Sequence, residues 1–165
     1  MSKIDWPSVY EALAVTGVMR TTSEDFKVTE VLPMLPEGEG EHLWLYIEKV
    51  DTNTQWLARQ LAQRANIESM DVSYAGLKDR HAVTQQWFSL YLPKTNPTMA
   101  EFISLDNVKI LKHARGQRKL RRGQLLGNKF ELCLRDVEGD KTAIESRLQE
   151  LKQKGFPNYF GEQRF

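Results

Sequence analysis

The sequence predicts an α+β domain with a mixed, mainly antiparallel sheet and flanking helices. Short apolar runs with period-two alternation, typical of strands, recur along most of the 165-residue chain. Two longer segments instead show the spacing of amphipathic helices. Strands and helices follow one another without a regular βαβ rhythm, which favours the α+β class. The hydrophobic share of 41% and the charged share of 27% are those of an ordinary globular domain.

The strands are predicted from alternation and from their aromatic and β-branched content. They cover residues 17–22, 26–31, 43–50, 72–75, 84–92, 108–111 and 129–135. In the second strand Phe26, Val28 and Glu30 share one face, and the carboxylate on that apolar face is interpreted as a frayed strand end, with a functional role as the alternative. The run 43–50 is almost continuously apolar, which favours a strand covered on both faces.

Two helices are predicted, at residues 54–65 and 141–154. N-cap candidates stand just before the first one: Asp51, Thr52 and Asn53. Its expected apolar stripe comprises Trp56, Leu57, Leu61 and Ala65. The second helix is expected to end at Gly155, a residue common at helix C-termini.

The charge is nearly balanced overall but unevenly distributed. The formal net charge is +1, whereas the stretch from Asn107 to Lys129 contains no Asp or Glu. Phosphates respond to a local basic patch rather than to total charge, so this stretch is compatible with RNA binding. The residues predicted to contact an RNA backbone are Arg118, Lys119, Arg121 and Arg122. A solvated charged hairpin is the alternative.

The apolar runs, the first residues and the single cysteine bear on the cellular compartment and on membrane association. No stretch has the apolar length of a membrane span, and the first residues do not form a secretory signal. The single cysteine, Cys133, cannot form an internal disulfide and lies in the apolar run 130–134, which predicts a buried thiol. A reducing cytoplasm is the expected location.

Several kinds of catalytic site are not indicated. His42, His81 and His113 lack metal-ligand spacing, so no metal site is predicted. The sequence has no Walker loop, no GxGxxG and no GxSxG, so neither a nucleotide cofactor nor a hydrolase elbow is expected.

The segment 74–86 contains the candidate chemical group. A predicted strand breaks at Gly76, and Asp79 follows between Lys78 and Arg80. Cations that approach a carboxylate favour its ionised form, and an ionised carboxylate on a loop can act as nucleophile or base. From composition alone, a solvated loop explains the same pattern.

This segment, GLKDRHAVTQQ at residues 76–86, resembles the signature of the TruD family of pseudouridine synthases, in which the Asp of the Lys-Asp pair is the nucleophile. Three other stretches resemble family motifs in the same order. They are RTTSEDFKVTE at 20–30, GNKF at 127–130 and NYFGEQRF at 158–165. The resemblance extends over nearly the whole chain.

The resemblance implies a tRNA pseudouridine synthase acting on uridine 13, an isomerisation that needs no redox cofactor. It implies that Asp79 is the nucleophile and that Arg20 pairs with it. Phe26 and Phe130 would pack on the base or ribose, and Asn128 would hydrogen-bond the substrate or Asp79. Core packing for both phenylalanines, a turn for Asn128 and a surface role for Arg20 are the alternatives.

Two departures from the family pattern bear on activity. Family members carry Lys where this chain has Arg20, and they are considerably longer, with a second domain inserted into the catalytic one. The resemblance therefore implies that residues 1–154 form the N-terminal part of the catalytic domain. Residues 155–165 would begin the inserted domain, with a C-terminal half missing. A catalytically inactive RNA-binding fragment and a non-functional truncated product remain alternatives, and a nuclease without metal partners is disfavoured.

Overall fold

The computed structural model describes residues 8–95, 97, 102 and 105–157. The chain forms two compact units, one with the residues up to Val18 and from Leu134 onward, the other with Met19–Cys133. The strands are β1 (Thr16–Met19), β2 (Phe26–Val31), β3 (His42–Val50), β4 (Val72–Tyr74), β5 (Val83–Tyr91), β6 (Val108–Gly116), β7 (Gly127–Leu132) and β8 (Leu134–Glu138). The helices are α1 (Thr54–Ala65) and α2 (Lys141–Lys154).

The larger unit contains a six-stranded sheet in the order β6-β3-β5-β2-β7, with β4 also paired to β5. Only β2 and β5 run parallel, with Lys27 opposite Val83, and the other pairs are antiparallel. The predicted α+β class with a mixed, mainly antiparallel sheet is confirmed.

One edge of β5 is split between two partners. β2 pairs with Val83–Gln85 and β4 pairs with Phe88–Leu90, while β3 follows the whole opposite edge. The chain between β4 and β5, residues 75–82, begins at this split and rejoins the sheet at Val83, the first residue of β5. At Gln86 and Trp87 the edge of β5 has no strand partner, so its polar groups need other hydrogen-bond partners.

Helix α1 covers the sheet face that carries the main core. Asn53 caps it, accepting hydrogen bonds from the N–H groups of Gln55 and Trp56. Leu57 and Leu61 are buried with Leu45, Ile47 and Phe88. The predicted stripe is wrong at Trp56, which lies on the exposed side of the helix.

The smaller unit contains β1 paired with β8, and α2. Asp140 caps α2 by accepting the Thr142 N–H at 2.8 Å, and Gly155 follows the helix as predicted. The Tyr10 hydroxyl donates to the Gly155 carbonyl at 2.7 Å, and Arg147 donates to the Glu11 carbonyl at 2.8 Å.

Two sequence expectations about the chain around residue 133 are wrong. The strand predicted at 129–135 is two strands, and Cys133 between them is exposed rather than buried. The pairing of β7 with β2 ends at Leu132, opposite Phe26, and the Cys133 N–H donates to the Asp25 carbonyl at 2.8 Å. Cys133 therefore lies just beyond the end of the β2–β7 pairing, and its side chain is exposed.

Other predicted bounds shift by a few residues, and β6 extends to Gly116 rather than ending at residue 111. Among the helices of the described residues, none has the length and apolar character of a membrane span. The motif at 158–165 lies outside the described residues, so the predicted boundary at 154/155 stays a prediction.

Candidate active site

Asp79 lies in the loop of residues 75–82, which leaves the sheet at the split. The start of this loop is fixed by two neutral side chains. Gln86 donates its Nε2 to the Gly76 carbonyl at 3.1 Å, filling part of the unpaired edge of β5. Thr54 Oγ1 accepts the Lys78 N–H at 3.2 Å and donates to Gln86 Oε1 at 2.9 Å. The backbone just before Asp79 is thereby attached to both α1 and β5.

A buried ion pair holds the Lys78 side chain. Its Nζ is 2.9 Å from Glu30 Oε1, and the two side chains are 3% and 0% exposed respectively. The other carboxylate oxygen of Glu30 accepts the N–H of Trp87 at 3.0 Å, the edge group that neither β2 nor β4 reaches. The frayed-end interpretation of Glu30 is wrong, because this carboxylate fills the split in the sheet.

Lys49 is a second buried cation beneath the loop, and its side chain is fully enclosed at 0% exposure. Its Nζ donates to the carbonyl of Thr52 at 2.6 Å and to the carbonyl of Asp79 at 3.2 Å. Burial lowers the pKa of the Lys49 ammonium to about 8; nearby Lys78 adds to this lowering, while the Asp79 charge opposes it. The backbone on both sides of the Asp79 side chain is therefore held by buried lysines.

The Asp79 side chain itself is exposed. Within the described part of the chain, its carboxylate makes no hydrogen bond and no ion pair. Lys78, expected from the sequence to flank this carboxylate, turns inward to Glu30, whereas Arg80 is exposed. The result is a free carboxylate on an immobilised backbone.

Arg20 and the two candidate phenylalanines form a stack. The Arg20 guanidinium carbon lies 4.0 Å from the centroid of the Phe26 ring. The Phe26 and Phe130 rings are stacked with centroids 6.0 Å apart and an interplanar angle of 7°. Phe26 also packs against Val28 and Ala82, the last residue of the Asp79 loop. The described residues contain no ion pair between Arg20 and Asp79.

Phe130 and Asn128 lie on the same sheet face as this stack. In the β2–β7 ladder Phe130 is opposite Val28 and Asn128 is opposite Glu30. Phe130 is 54% exposed, which differs from the core packing typical of a strand phenylalanine. The structure thus brings Arg20, Phe26, Phe130 and Asn128 around the loop that carries Asp79.

The basic residues predicted to contact RNA lie between β6 and β7, in the segment Gln117–Gln124, here called the basic loop. All four are exposed: Arg118, Lys119, Arg121 and Arg122. With His42 they line a depression of about 810 Å³. Burial lowers the pKa of His42, so the positive charge there comes from Arg and Lys. The Gly123 N–H donates to the Ala75 carbonyl at 2.8 Å, joining this loop to the start of the Asp79 loop.

Sequence reasoning missed the positions beneath the site. Lys49 falls in phase with the buried Leu45 and Ile47 of β3, and Glu30 falls in phase with Phe26 and Val28 of β2. A charge in the buried phase of a strand was the available signal. No group of three or more His, Cys, Asp or Glu side chains suited to a metal is found in the described ranges.

A family model described as tRNA pseudouridine synthase D (TruD) matches residues 8–165. The tRNA pseudouridine synthase D of Cellvibrio japonicus is 49% identical over 166 residues, covering 98% of this chain and 49% of that protein. Its counterpart in Nitrosococcus oceani is 51% identical over 151 residues, covering 91% of this chain and 42% of that protein.

A crystal structure from Methanosarcina mazei, assigned as a tRNA pseudouridine synthase D, aligns with a TM-score of 0.74 at 31% identity. That alignment covers 93% of this chain and 36% of the other. The chain spans about half the length of the curated relatives it matches.

Proposed function

Because the chain belongs to the TruD family of tRNA pseudouridine synthases, we propose that its site isomerises a uridine of tRNA, at position 13, to pseudouridine. The observation that supports this most directly is the exposed Asp79 carboxylate on a backbone fixed by Lys49 and the Lys78–Glu30 pair. A reacting group held in one place gains effective concentration, because its orientation is fixed before substrate binds.

Asp79 is the proposed nucleophile. The isomerisation breaks the N1–C1′ bond of the uridine and forms a C5–C1′ bond, with N1 gaining the proton that C5 loses. All atoms are retained and no electrons are exchanged. The carboxylate contributes a negative charge at the ribosyl uracil while the base is detached.

Arg20 and Phe130 are proposed to form the wall against which the substrate nucleotide packs, and the buried Phe26 ring supports both of them. A uridine must leave its stack before a carboxylate reaches it, and an exposed aromatic ring such as Phe130 replaces the lost stacking. Arg20 supplies a positive charge at the end of this wall. Asn128 supplies an amide on the same face for a hydrogen bond to substrate.

The basic loop is proposed to bind the tRNA, and its hydrogen bond to Ala75 supports contact between the RNA and the same region as Asp79. The proposal places residues 1–154 in the catalytic domain and residues 155–165 at the start of the inserted domain, in a cytoplasmic enzyme. A further C-terminal part is included because the relatives are about twice as long as the matched region.

The test is pseudouridine formation in a tRNA transcript by the 165-residue chain and by its Asp79→Ala variant. Carbodiimide modification and primer extension would locate the product. We expect product at position 13 with the original chain and only background with Asp79→Ala. The free energy of unfolding should change by no more than about 0.5 kcal/mol, since the Asp79 side chain is exposed.

Glu145→Ala is the matched control, because it removes one exposed carboxylate from α2 and should leave turnover unchanged. Turnover that survives Asp79→Ala would remove Asp79 from its role. If the original chain binds tRNA without turnover, the alternative of an inactive RNA-binding fragment replaces the proposal for this chain. If adding the C-terminal half of a relative then restored turnover to this chain, Asp79 would again be the proposed nucleophile.

A further inference from the structure

The basic loop has a rigid backbone. The indole Nε1 of Trp44 donates to the Arg118 carbonyl at 2.9 Å, and Ser89 Oγ accepts the Leu120 N–H at 2.9 Å. The Leu120 side chain is buried with Trp44 and Trp87. Backbone and apolar contacts therefore fix the loop, while its charged side chains project into solvent.

A tight turn orders the end of this loop. The Gln124 N–H donates to the Arg121 carbonyl at 3.0 Å, and the Arg121 N–H donates to Gln124 Oε1 at 3.1 Å. Gly123 occupies the third position of the turn with φ +80°, a conformation that glycine adopts without strain. The turn therefore already orders the backbone at Arg122, which reduces the entropy lost when a ligand binds this residue.

Arg122 differs from the other three cations of the basic loop. Its guanidinium carbon lies 4.1 Å from the centroid of the Tyr74 ring, and its Nη2 donates to the Tyr74 hydroxyl at 2.6 Å. Tyr74 is buried and Arg122 is exposed, so only the inner face of the guanidinium is covered. Within the described part of the chain, the side chains of Arg118, Lys119 and Arg121 make no hydrogen bond or ion pair.

The Tyr74–Arg122 pair lines a depression of about 620 Å³. Its cations are Arg59, Lys119, Arg121 and Arg122, and further hydrogen-bonding groups come from Gln55, Ser69 and Ser73. Among the described residues that line this depression and the adjoining one with His42, none is an Asp or a Glu. The surface combines positive charge with one planar, anchored group, which suits a ligand that carries both phosphates and flat rings.

We propose that Arg122, lying on Tyr74, is a stacking platform for an unpaired nucleobase of RNA, while Arg118, Lys119 and Arg121 contact phosphates. Every base has a π face, so a flat guanidinium binds bases with little regard to sequence. The inference rests on the proposed function for the identity of the ligand as RNA. It changes the predicted role of Arg122 from a backbone contact to a base contact.

The platform is connected to the catalytic loop. Tyr74 is the last residue of β4, and the loop with Asp79 begins at the next residue. The turn that presents Arg122 is joined to that loop by the Gly123–Ala75 hydrogen bond. A base stacked on Arg122 therefore fixes a nucleotide at the start of the Asp79 loop and helps set the register of the RNA.

The test uses the full chain and two probes, a short oligouridylate and inorganic polyphosphate, which has the charges of RNA without the bases. The Arg122→Lys variant retains the positive charge and loses the planar guanidinium group. We expect it to weaken oligouridylate binding about 5- to 150-fold, the range for loss of one stacked base, and to leave polyphosphate binding unchanged. Tyr74→Phe loses only the hydroxyl that orients the guanidinium. Like Arg122→Lys, it should weaken binding of oligouridylate relative to binding of polyphosphate.

Arg135→Lys is the matched control, because it makes the same change at an exposed arginine of β8 that lines neither depression. It should leave both affinities near those of the original chain. The platform would be overturned if Arg122→Lys lost affinity equally for the two probes. It would also be overturned if neither Arg122→Lys nor Tyr74→Phe lost affinity for oligouridylate. Failure of the original chain to bind either probe would instead overturn the proposed RNA-binding function, so the two failures are distinguishable.

Discussion

The Asp79 loop and the basic loop are both irregular segments held against the same sheet, but they differ in whether buried charges take part. Buried charges hold the Asp79 loop, through Lys49 and the Lys78–Glu30 pair. Buried neutral groups hold the basic loop, through Trp44, Ser89 and Leu120, and exposed carboxylates of Glu37 and Glu39 accept hydrogen bonds from Gln117 at its start. The Asp79 loop lies over buried charges and exposes the Asp79 carboxylate and Arg80. The other has its cations outside and none inside.

The difference fits the two proposed roles, Asp79 as nucleophile and the basic loop as RNA-binding surface. A nucleophile needs one position, and a buried ion pair with partners on several elements specifies one arrangement more sharply than apolar packing does. An RNA-binding surface needs accessible charge, so it is best held by its backbone. Removal of one charge should therefore be severe beneath Asp79 and mild in the basic loop.

The largest effect is expected for Glu30→Gln. This change leaves the Lys78 ammonium buried without its partner, and we expect a loss of about 3–5 kcal/mol in the free energy of unfolding. Urea denaturation at neutral pH measures it. Glu131→Gln is the control, since the exposed Lys129–Glu131 pair at 2.9 Å is screened by solvent and should contribute little to stability.

A second denaturation experiment uses the double variant Glu30→Met, Lys78→Met, which replaces both members of the buried pair. Most of the stability lost in Glu30→Gln should return, because no unpaired charge remains. If Glu30→Gln behaves like Glu131→Gln, the contrast between the two loops is not energetic.

An intermediate effect is expected from Lys49 as the pH rises. Its pKa is about 8 in the folded protein, against an ordinary lysine pKa of 10.5. Between these values the unfolded chain binds the additional proton, so the free energy of unfolding should rise with pH. The slope relative to Lys49→Met should reach about 1.4 kcal/mol per pH unit. Below pH 8 the two curves should run parallel.

Lys49→Arg tests the origin of that slope, because arginine stays charged throughout this window. It should lose the rise in stability although it retains a cation. A wild-type curve parallel to that of Lys49→Met up to pH 10 would contradict the lowered pKa of Lys49.

The smallest effect on stability is expected in the basic loop. Arg118→Ala and Lys119→Ala should each change the free energy of unfolding by less than about 0.5 kcal/mol, since both side chains are exposed. Each should nevertheless reduce the log–log salt slope of tRNA binding by about 0.7–0.9. An unchanged slope with weakened binding would remove that residue from phosphate contact.

Much of the fold could be predicted from the sequence, because alternation and capping act locally. The bounds of β2, α1 and α2 match the predicted ranges, and Asn53 is the N-cap. The course of the chain at Cys133 could not be predicted, because a strand's end depends on where its partner ends. The pairing of β7 stops where β2 begins, which is a property of the sheet.

The site was only partly accessible to the same reasoning. Asp79 stood out by its setting and its family resemblance, whereas the expected pairing with Arg20 is not formed and Arg20 lies on Phe26. The roles of Glu30 and Lys49 require knowledge that β2 and β4 leave a gap along β5. Periodicity does show both charges in a buried phase, and that conflict between local rule and residue type indicates a functional position.

The parallel pairing of β2 with β5 has a kinetic consequence. Parallel neighbours require a long crossover, and here β3, α1 and β4 all lie between them in the chain. The Glu30–Lys78 contact closes a loop of 48 residues, so it forms only after those elements have largely assembled. The geometry around Asp79 is thus completed late in folding, and any substitution that slows assembly of α1 delays the appearance of a competent site.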